Sequence, residues 1–242
     1  MSNTTKKTEK TCHGFDLYEE DGIVYAEPTE EYVREMKAKR LSFACIPHMY
    51  EMARFRHLST KHYNEDMTET FQRLKDYAAN FEKAKKEGVG LYLWSEQKGS
   101  GKTMSVCALA NELLENDYQV RFATSARILQ EIRNTYSNTT TYTESQMMSD
   151  LKTCELLIID DFGVEKITDW VREKMYEIIN ERYLANRPTI FTANNDIKDL
   201  PYDERITNRI EQMCVAIHYP EVSVRSAIGK LRQNFLDKFK KG

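Results

Sequence analysis

The run Lys98-Gly99-Ser100-Gly101-Lys102-Thr103 holds the residue types that grip a phosphate. Glycines let backbone N–H groups curl around an anion, and a helix N-terminus adds roughly half a positive charge at that point. Lys102 would reach the β- and γ-phosphates of a nucleotide, and Thr103 would offer its hydroxyl to Mg²⁺. The flanks agree, because Leu91-Tyr92-Leu93-Trp94 reads as an apolar strand and Met104 to Leu114 has apolar residues at helical spacing. Strand, glycine-rich turn and helix N-terminus are the context that a P-loop requires. The expected nucleotide-binding set is Lys98, Gly99, Ser100, Gly101, Lys102, Thr103 and Met104. One position departs from G-x-x-x-x-G-K-[ST], since Glu96 stands where the first glycine belongs. A glutamate fits there with ordinary backbone angles and a carboxylate turned away from the phosphates.

A second group of candidates follows a continuous apolar run, Leu156-Leu157-Ile158-Ile159, which ends in Asp160-Asp161. Such a run suits a buried parallel strand. A carboxylate at its C-terminal edge, beside the P-loop, is where Mg²⁺ needs a ligand. Asp160 with Thr103 is the expected metal pair, and Asp161 is placed to polarise the attacking water. The next apolar strand, Thr189-Ile190-Phe191-Thr192, leads into Ala193-Asn194-Asn195. Asn194 is the candidate there for sensing the water or the γ-phosphate, although an Asn-Asn pair is also good turn chemistry.

Elements must hold these groups in place. Strand and helix patterns alternate through Tyr118–Phe122, a helix Ala126–Tyr136 capped by Ser125, the 156–159 strand, a helix Asp169–Ala185 and the 189–192 strand. The alternation implies a parallel sheet covered on both faces, a three-layer α/β/α fold. Before it, a long helix is expected over Thr68–Lys86, ended by Gly88 and Gly90. Residues 1–65 differ: charges are dense, prolines at 28 and 47 interrupt periodicity, and short helices are expected at Glu31–Arg40 and Pro47–Arg56. The domain reading is therefore a small, mostly helical N-terminal region over 1–65 and a nucleotide-binding domain over 66–242.

Composition narrows the class. The chain has 242 residues, 40% apolar and 30% charged, with formal net charge −3. That balance suits a water-exposed globular protein with only local nucleic-acid contacts. No apolar run approaches the roughly 18 residues of a membrane span, and Met1–Lys10 lacks the apolar core of a secretory signal. Five cysteines without paired spacing suit a reducing cytoplasm rather than a disulfide scaffold.

The order of Gly-x-Gly-Lys-Thr, then Leu-Leu-Ile-Ile-Asp-Asp-Phe-Gly-Val-Glu-Lys with Asp169-Trp170-Val171-Arg172-Glu173, then Arg187-Pro188-Thr189 through Asn194, resembles the bacterial helicase-loader ATPases. These are the DnaC/DnaI-type AAA+ proteins, related to the IstB transposition helpers, and the resemblance spans about residues 88–230. It implies ATP and Mg²⁺ as ligands and slow, partner-stimulated ATP hydrolysis. It also implies side-by-side assembly into an open spiral or ring, attachment to the hexameric replicative helicase, and loading of that helicase onto single-stranded DNA. Carried onto this chain, Arg205 or Arg209 would be the finger that reaches a neighbour's γ-phosphate, and Arg225 a second sensor acting in cis. Few residues follow Arg225, so an abbreviated C-terminal lid is expected. The resemblance leaves two rivals open: an IstB-like helper acting on duplex DNA, and a passive adaptor with a degenerate P-loop.

Weaker signals remain. Residues 134–145 are polar with Tyr136 and Tyr142 interspersed, either a solvated loop or a surface on which bases stack. Residues 230–241 read as a final packed helix with a basic outer face. Cys12, His13, Cys45 and His48 lack the C-x-x-C spacing of a zinc site.

Overall fold

The computed structural model describes residues 6–136 and 143–229, with side chains from residue 13 onward within those ranges. The Tyr142 part of the polar segment, the 230–241 helix and the Cys12 side chain lie outside the described parts. The chain divides into two compact units, residues 1–43 and 44–242.

The first unit corrects the expectation of a mostly helical N-terminal region. It contains β1 (Lys6–Cys12), β2 (Phe15–Glu20) and β3 (Ile23–Pro28), joined as an antiparallel meander, before α1 (Glu30–Ala44) begins. Two-residue turns make the meander. His13-Gly14 and Asp21-Gly22 all have positive φ (51°, 86°, 51° and 77°), the geometry whose twist matches antiparallel strands. Tyr18 and Tyr25, directly opposite across the strands, stack at 5.2 Å. Asp-Gly between apolar-rich runs is a hairpin signal present in the sequence, and it outweighs the charge density that reads as helix. The Thr29 hydroxyl then accepts the Tyr32 N–H and starts α1.

The second unit opens with 3₁₀ turns at His48–Tyr50, Phe55–His57 and Thr60–His62, where a short α-helix over 47–56 was expected. Arg54 is extended (φ −141°, ψ 156°) and divides that stretch. The single helix expected over 68–86 is likewise two, α2 (Thr68–Ala79) and α3 (Phe81–Glu87). They part at Asn80, whose side-chain amide donates to the Asp76 carbonyl (2.8 Å) and competes with helical bonding. The break turns Phe81 inward to 1% exposure. Gly88 at φ 70° then ends α3 in the left-handed cap that its sequence predicts.

From there the order is β4 (Gly90–Trp94), α4 (Lys102–Glu115), β5 (Val120–Thr124), α5 (Ser125–Asn134), α6 (Glu144–Thr153), β6 (Leu156–Phe162), α7 (Asp169–Leu184), β7 (Thr189–Ala193), α8 (Glu204–Met213) and β8 (Cys214–His218). The strands form one parallel sheet in the order β5-β6-β7-β4-β8. Strand β5 begins two residues later than its pattern suggests, because Tyr118 packs edge-on against Phe81 (4.9 Å). Its end shifts the helix cap too: Thr124, not Ser125, accepts the Arg127 N–H (3.1 Å).

Apolar side chains fill both faces of the sheet, as period-two alternation demands. Leu91, Leu93, Phe122, Ile158 and Ile190 join the core built by α2, α3 and α4. The alternate residues Tyr92, Leu157, Ile159 and Phe191 are also fully buried, and Phe191 meets Phe162 edge-on at 5.1 Å. The 44–67 segment belongs to this unit, with Ala44, Ala53 and Met67 in the α4 core. Among the described residues no helix is long and apolar enough to cross a membrane.

Leu109 on α4 is fully buried in that core, between α2 and the sheet. Leu109→Ala should destabilise the protein by about 2–5 kcal/mol in urea unfolding, through lost burial plus the cavity left behind.

Candidate nucleotide-binding site

The loop from β4 to α4 lies at the C-terminal edge of the central strands, where open parallel sheets bind ligands. Gly99 and Gly101 have φ of 80° and 95°, a conformation that bends the loop back on itself. Gly101 is also the N-cap of α4 and has no side-chain cap, which leaves the first N–H groups of the helix for an anion. A Cβ at Gly101 would lie 2.4 Å from the Tyr63 hydroxyl, which donates to the Ser100 carbonyl at 2.7 Å. Lys102 is 5% exposed, with Nζ within 3.1 Å of Ser100 Oγ and 3.4 Å of both the Ser95 carbonyl and Asn194 Oδ1. Burial pulls its pKa down, while Asp161, Glu221 and Asp160 favour its charged form. Glu96 keeps a φ outside the left-handed region, and it is exposed. The first glycine of the motif is thus dispensable for this loop's path.

Asp160 is 4% exposed at the end of β6. Its Oδ1 accepts hydrogen bonds from Thr103 Oγ1 (2.9 Å) and Thr192 Oγ1 (2.6 Å). Burial pushes its pKa up to about 6, against the pull of both threonine hydroxyls and of Lys102. The β6–β7 register shifts between Ile159 and Phe162, and Asp161 within that bulge adopts φ 53°. Bulges re-aim side chains at active-site edges. Here the Asp161 side chain faces the cavity while its N–H is held by Thr192 Oγ1 (3.0 Å). A threonine hydroxyl and a carboxylate at this edge are hard oxygen donors of the kind Mg²⁺ takes alongside phosphate and water. The residues present fit that ion.

A cavity of about 660 Å³ runs from this edge. Lys98–Met104, Asp161, Asn194 and Arg225 line its polar side. Met49, Tyr50, His57, Leu58, Phe71 and Ile228 line another part, an aromatic and aliphatic wall that suits a planar base. Most of that wall comes from the 3₁₀ segment and lacks the periodicity that sequence reasoning follows. The second threonine on Asp160, Thr192, is also new, legible only as a polar residue inside an apolar strand.

The structure thus brings together Lys98–Met104, Asp160, Asp161, Asn194 and Arg225, and leaves Arg205 and Arg209 outside the cavity. Both arginines lie on α8. Arg209 donates to Asn180 Oδ1 (2.8 Å) and to the Tyr176 hydroxyl (3.1 Å), so it is tied to α7 of its own chain. Arg205 pairs with Asp203 (2.9 Å), and its side chain is 66% exposed.

The Asp160 carboxyl, raised from 3.8 to about 6, binds its proton more tightly in the fold than in the unfolded chain. Stability of the nucleotide- and Mg²⁺-free protein should therefore fall as pH rises from about 4 to 6 on this group's account. Asp160→Asn should remove that slope and raise stability at pH 7 by about 3 kcal/mol, measured by urea unfolding across pH.

Comparison with known proteins agrees with this geometry. The model of the family described as IstB-like ATP binding protein matches residues 22–209. The phage-like element PBSX protein XkdC of Bacillus subtilis (strain 168) is 30% identical over 191 residues, 74% of this chain and 69% of that protein. The replicative helicase loader DnaC of Escherichia coli (strain K12) is 24% identical over 194 residues, covering 79% and 76% of the two chains. Among solved structures, the crystal structure of DnaI superposes with a TM-score of 0.61 at 26% identity, covering 72% of this chain and 95% of that one. With its P-loop, its Asp160 edge and its parallel sheet in place, the chain belongs to the IstB-like ATP-binding proteins and has the AAA+ P-loop fold.

Proposed function

We propose that this protein is an ATPase that loads the replicative DNA helicase onto single-stranded DNA. The observation that carries the reading is the junction of Thr103 and Asp160 beside Lys102 and Asn194, at an uncapped helix N-terminus, in a chain whose relatives include helicase loaders. The α4 amides and Lys102 hold the triphosphate. Thr103 and Asp160 hold Mg²⁺, which when bound neutralises phosphate charge. Asp161 polarises the attacking water, Asn194 orients it against the γ-phosphate, and Arg225 contacts that phosphate in cis.

Hydrolysis on this reading needs a second subunit. Arg205 is exposed and away from its own cavity, as a group acting on a neighbour's nucleotide must be. Arg209, the other candidate finger, is held by Asn180 and Tyr176 and orients the helix that carries Arg205. Side-by-side subunits then make hydrolysis report assembly. Single-stranded DNA has a matching surface: the Arg133 guanidinium lies 4.6 Å over the Trp170 ring, with Tyr136 beside it and 55% exposed. Aromatic and guanidinium planes of this kind stack on bases without sequence preference.

The N-terminal region, residues 1–65 in the domain reading, supplies the helicase contact. Because residues 44–67 pack into the ATPase core, its separable part is the first unit. A protein beginning at residue 44 should bind ATP as the full chain does but lose helicase binding in pull-down and sedimentation assays. A filament on duplex DNA, with no helicase contact, would instead mark a transposition helper.

The catalytic roles separate in mixing experiments. Lys102→Ala should abolish nucleotide binding. Arg205→Ala should keep ATP affinity yet lose partner-stimulated hydrolysis by about 10³-fold, as arginine fingers do. Equal mixtures of Lys102→Ala and Arg205→Ala proteins should recover part of the activity, since one supplies the finger and the other the nucleotide. Full activity in Arg205→Ala alone would remove the finger assignment.

A further inference from the structure

The strap that follows β8 runs along the end of β4 and the P-loop and is hydrogen-bonded to them at Tyr219, Pro220, Glu221 and Arg225. Tyr219 N–H donates to the Trp94 carbonyl (2.7 Å), and Ser95 Oγ donates to the Pro220 carbonyl (3.3 Å). Glu221 then spans two consecutive amides, Oε1 accepting from the Glu96 N–H (3.1 Å) and Oε2 from the Gln97 N–H (2.6 Å). Arg225 N–H closes the run on the Gly99 carbonyl (3.2 Å). His218 Nε2 lies 3.0 Å from Glu221 Oε1, and its ring rests against Trp94 at 4.3 Å.

We propose that Glu221 is a positioning residue for the nucleotide, bracing the P-loop at the point where the first glycine of the motif is replaced by Glu96. The inference rests on the ATP-binding reading above and extends it to a residue outside every P-loop motif. Glu96 and Gln97 do not line the cavity, whereas Lys98–Met104 do. Glu221 therefore takes two amides outside the cavity and none of the amides of Lys98–Met104 that line it. Hydrogen bonds to an ionised acceptor are roughly twice as strong as neutral ones, and two on one carboxylate fix the loop's entry in position and angle. Burial works against ionisation of Glu221, yet His218 and the two N–H groups keep its carboxyl below the ordinary glutamate value. The strap also fixes the far side of the loop, because a Cβ at Gly99 would lie 3.0 Å from Arg225 Cβ and 3.1 Å from Ser223 Oγ. One short segment thus sets the loop's entry through Glu221 and delivers Arg225 to the cavity.

The test is equilibrium binding of ATP to the full chain, by competition with a fluorescent ATP analogue, for wild type, Glu221→Gln, Glu221→Ala and Lys102→Ala. Amide resonances of Glu96 and Gln97 are followed in ¹⁵N-labelled protein without nucleotide. Glu221→Gln keeps the size of the side chain but removes its charge. It should weaken ATP binding by about tenfold and move both resonances upfield, as charge-assisted bonds become neutral. In turnover, KM for ATP should rise while kcat changes by less than about twofold, the signature of lost binding rather than lost transition-state contact. Glu221→Ala should weaken binding further. Affinity within about twofold of wild type in both Glu221 variants, with Lys102→Ala inactive, would overturn the brace and leave the nucleotide site standing. Weakened binding with unmoved amide resonances would also overturn it. A wild-type chain that binds no ATP would overturn brace and nucleotide reading together.

Discussion

A carboxylate taken out of water must be matched by donors or be neutralised, and Asp160 is 4% exposed among the apolar ends of a central strand. Two threonine hydroxyls match it, one from the first turn of α4 and one from β7. That requirement ties three elements to one point. Helix α4 must start beside β6, β7 must be the neighbour of β6, and the loop before α4 must turn tightly enough to deliver Thr103. The strand order β5-β6-β7-β4-β8 meets all three conditions, with β7 between the aspartate strand and the loop strand. The bulge after Ile159 then separates the roles of adjacent aspartates, turning one inward and exposing the other.

Around this point the P-loop is held from outside rather than by its own sequence. Tyr63 bonds the Ser100 carbonyl from the 3₁₀ segment, and the strap after β8 takes the amides of Glu96 and Gln97 and the carbonyl of Gly99. Helix α4 itself starts at Gly101 with no side-chain cap, beside the cavity that the loop lines. The first N–H groups of such a helix have no intrahelical acceptor, and an anion can take them. The aromatic and aliphatic wall from Met49 to Phe71 gives the same cavity a second chemistry, suited to a base rather than a phosphate.

The features legible in the sequence are those with short-range signatures. The glycine-rich run between a strand and a helix, and the two aspartates at the end of an apolar run, are readable because their chemistry and their periodicity lie within a few residues. The candidates Lys98–Met104, Asp160, Asp161 and Asn194 are legible in that way and Arg225 through family resemblance, and they lie close together in the fold. Contacts of long sequence separation were not legible: Glu221 lies far along the chain from Glu96, and Tyr63 far before Ser100. The N-terminal meander was missed for another reason. Its Asp21-Gly22 turn carries a hairpin signal, but β2 is exposed on half of its residues and β3 on all of them, without the clean alternation of a half-buried sheet. At Asn80 a local polar side chain overrode a helical pattern that continued on both sides of it.

On the function proposed above, Thr103 and Asp160 would hold Mg²⁺ beside bound ATP. Calorimetric titration of the full chain with ATP at neutral pH, with Mg²⁺ present and then removed by a chelator, tests it most directly. One ATP bound per chain, with affinity falling by about tenfold or more when Mg²⁺ is removed, is the predicted result. ATP binding that is indifferent to Mg²⁺, or no binding in either condition, would contradict it.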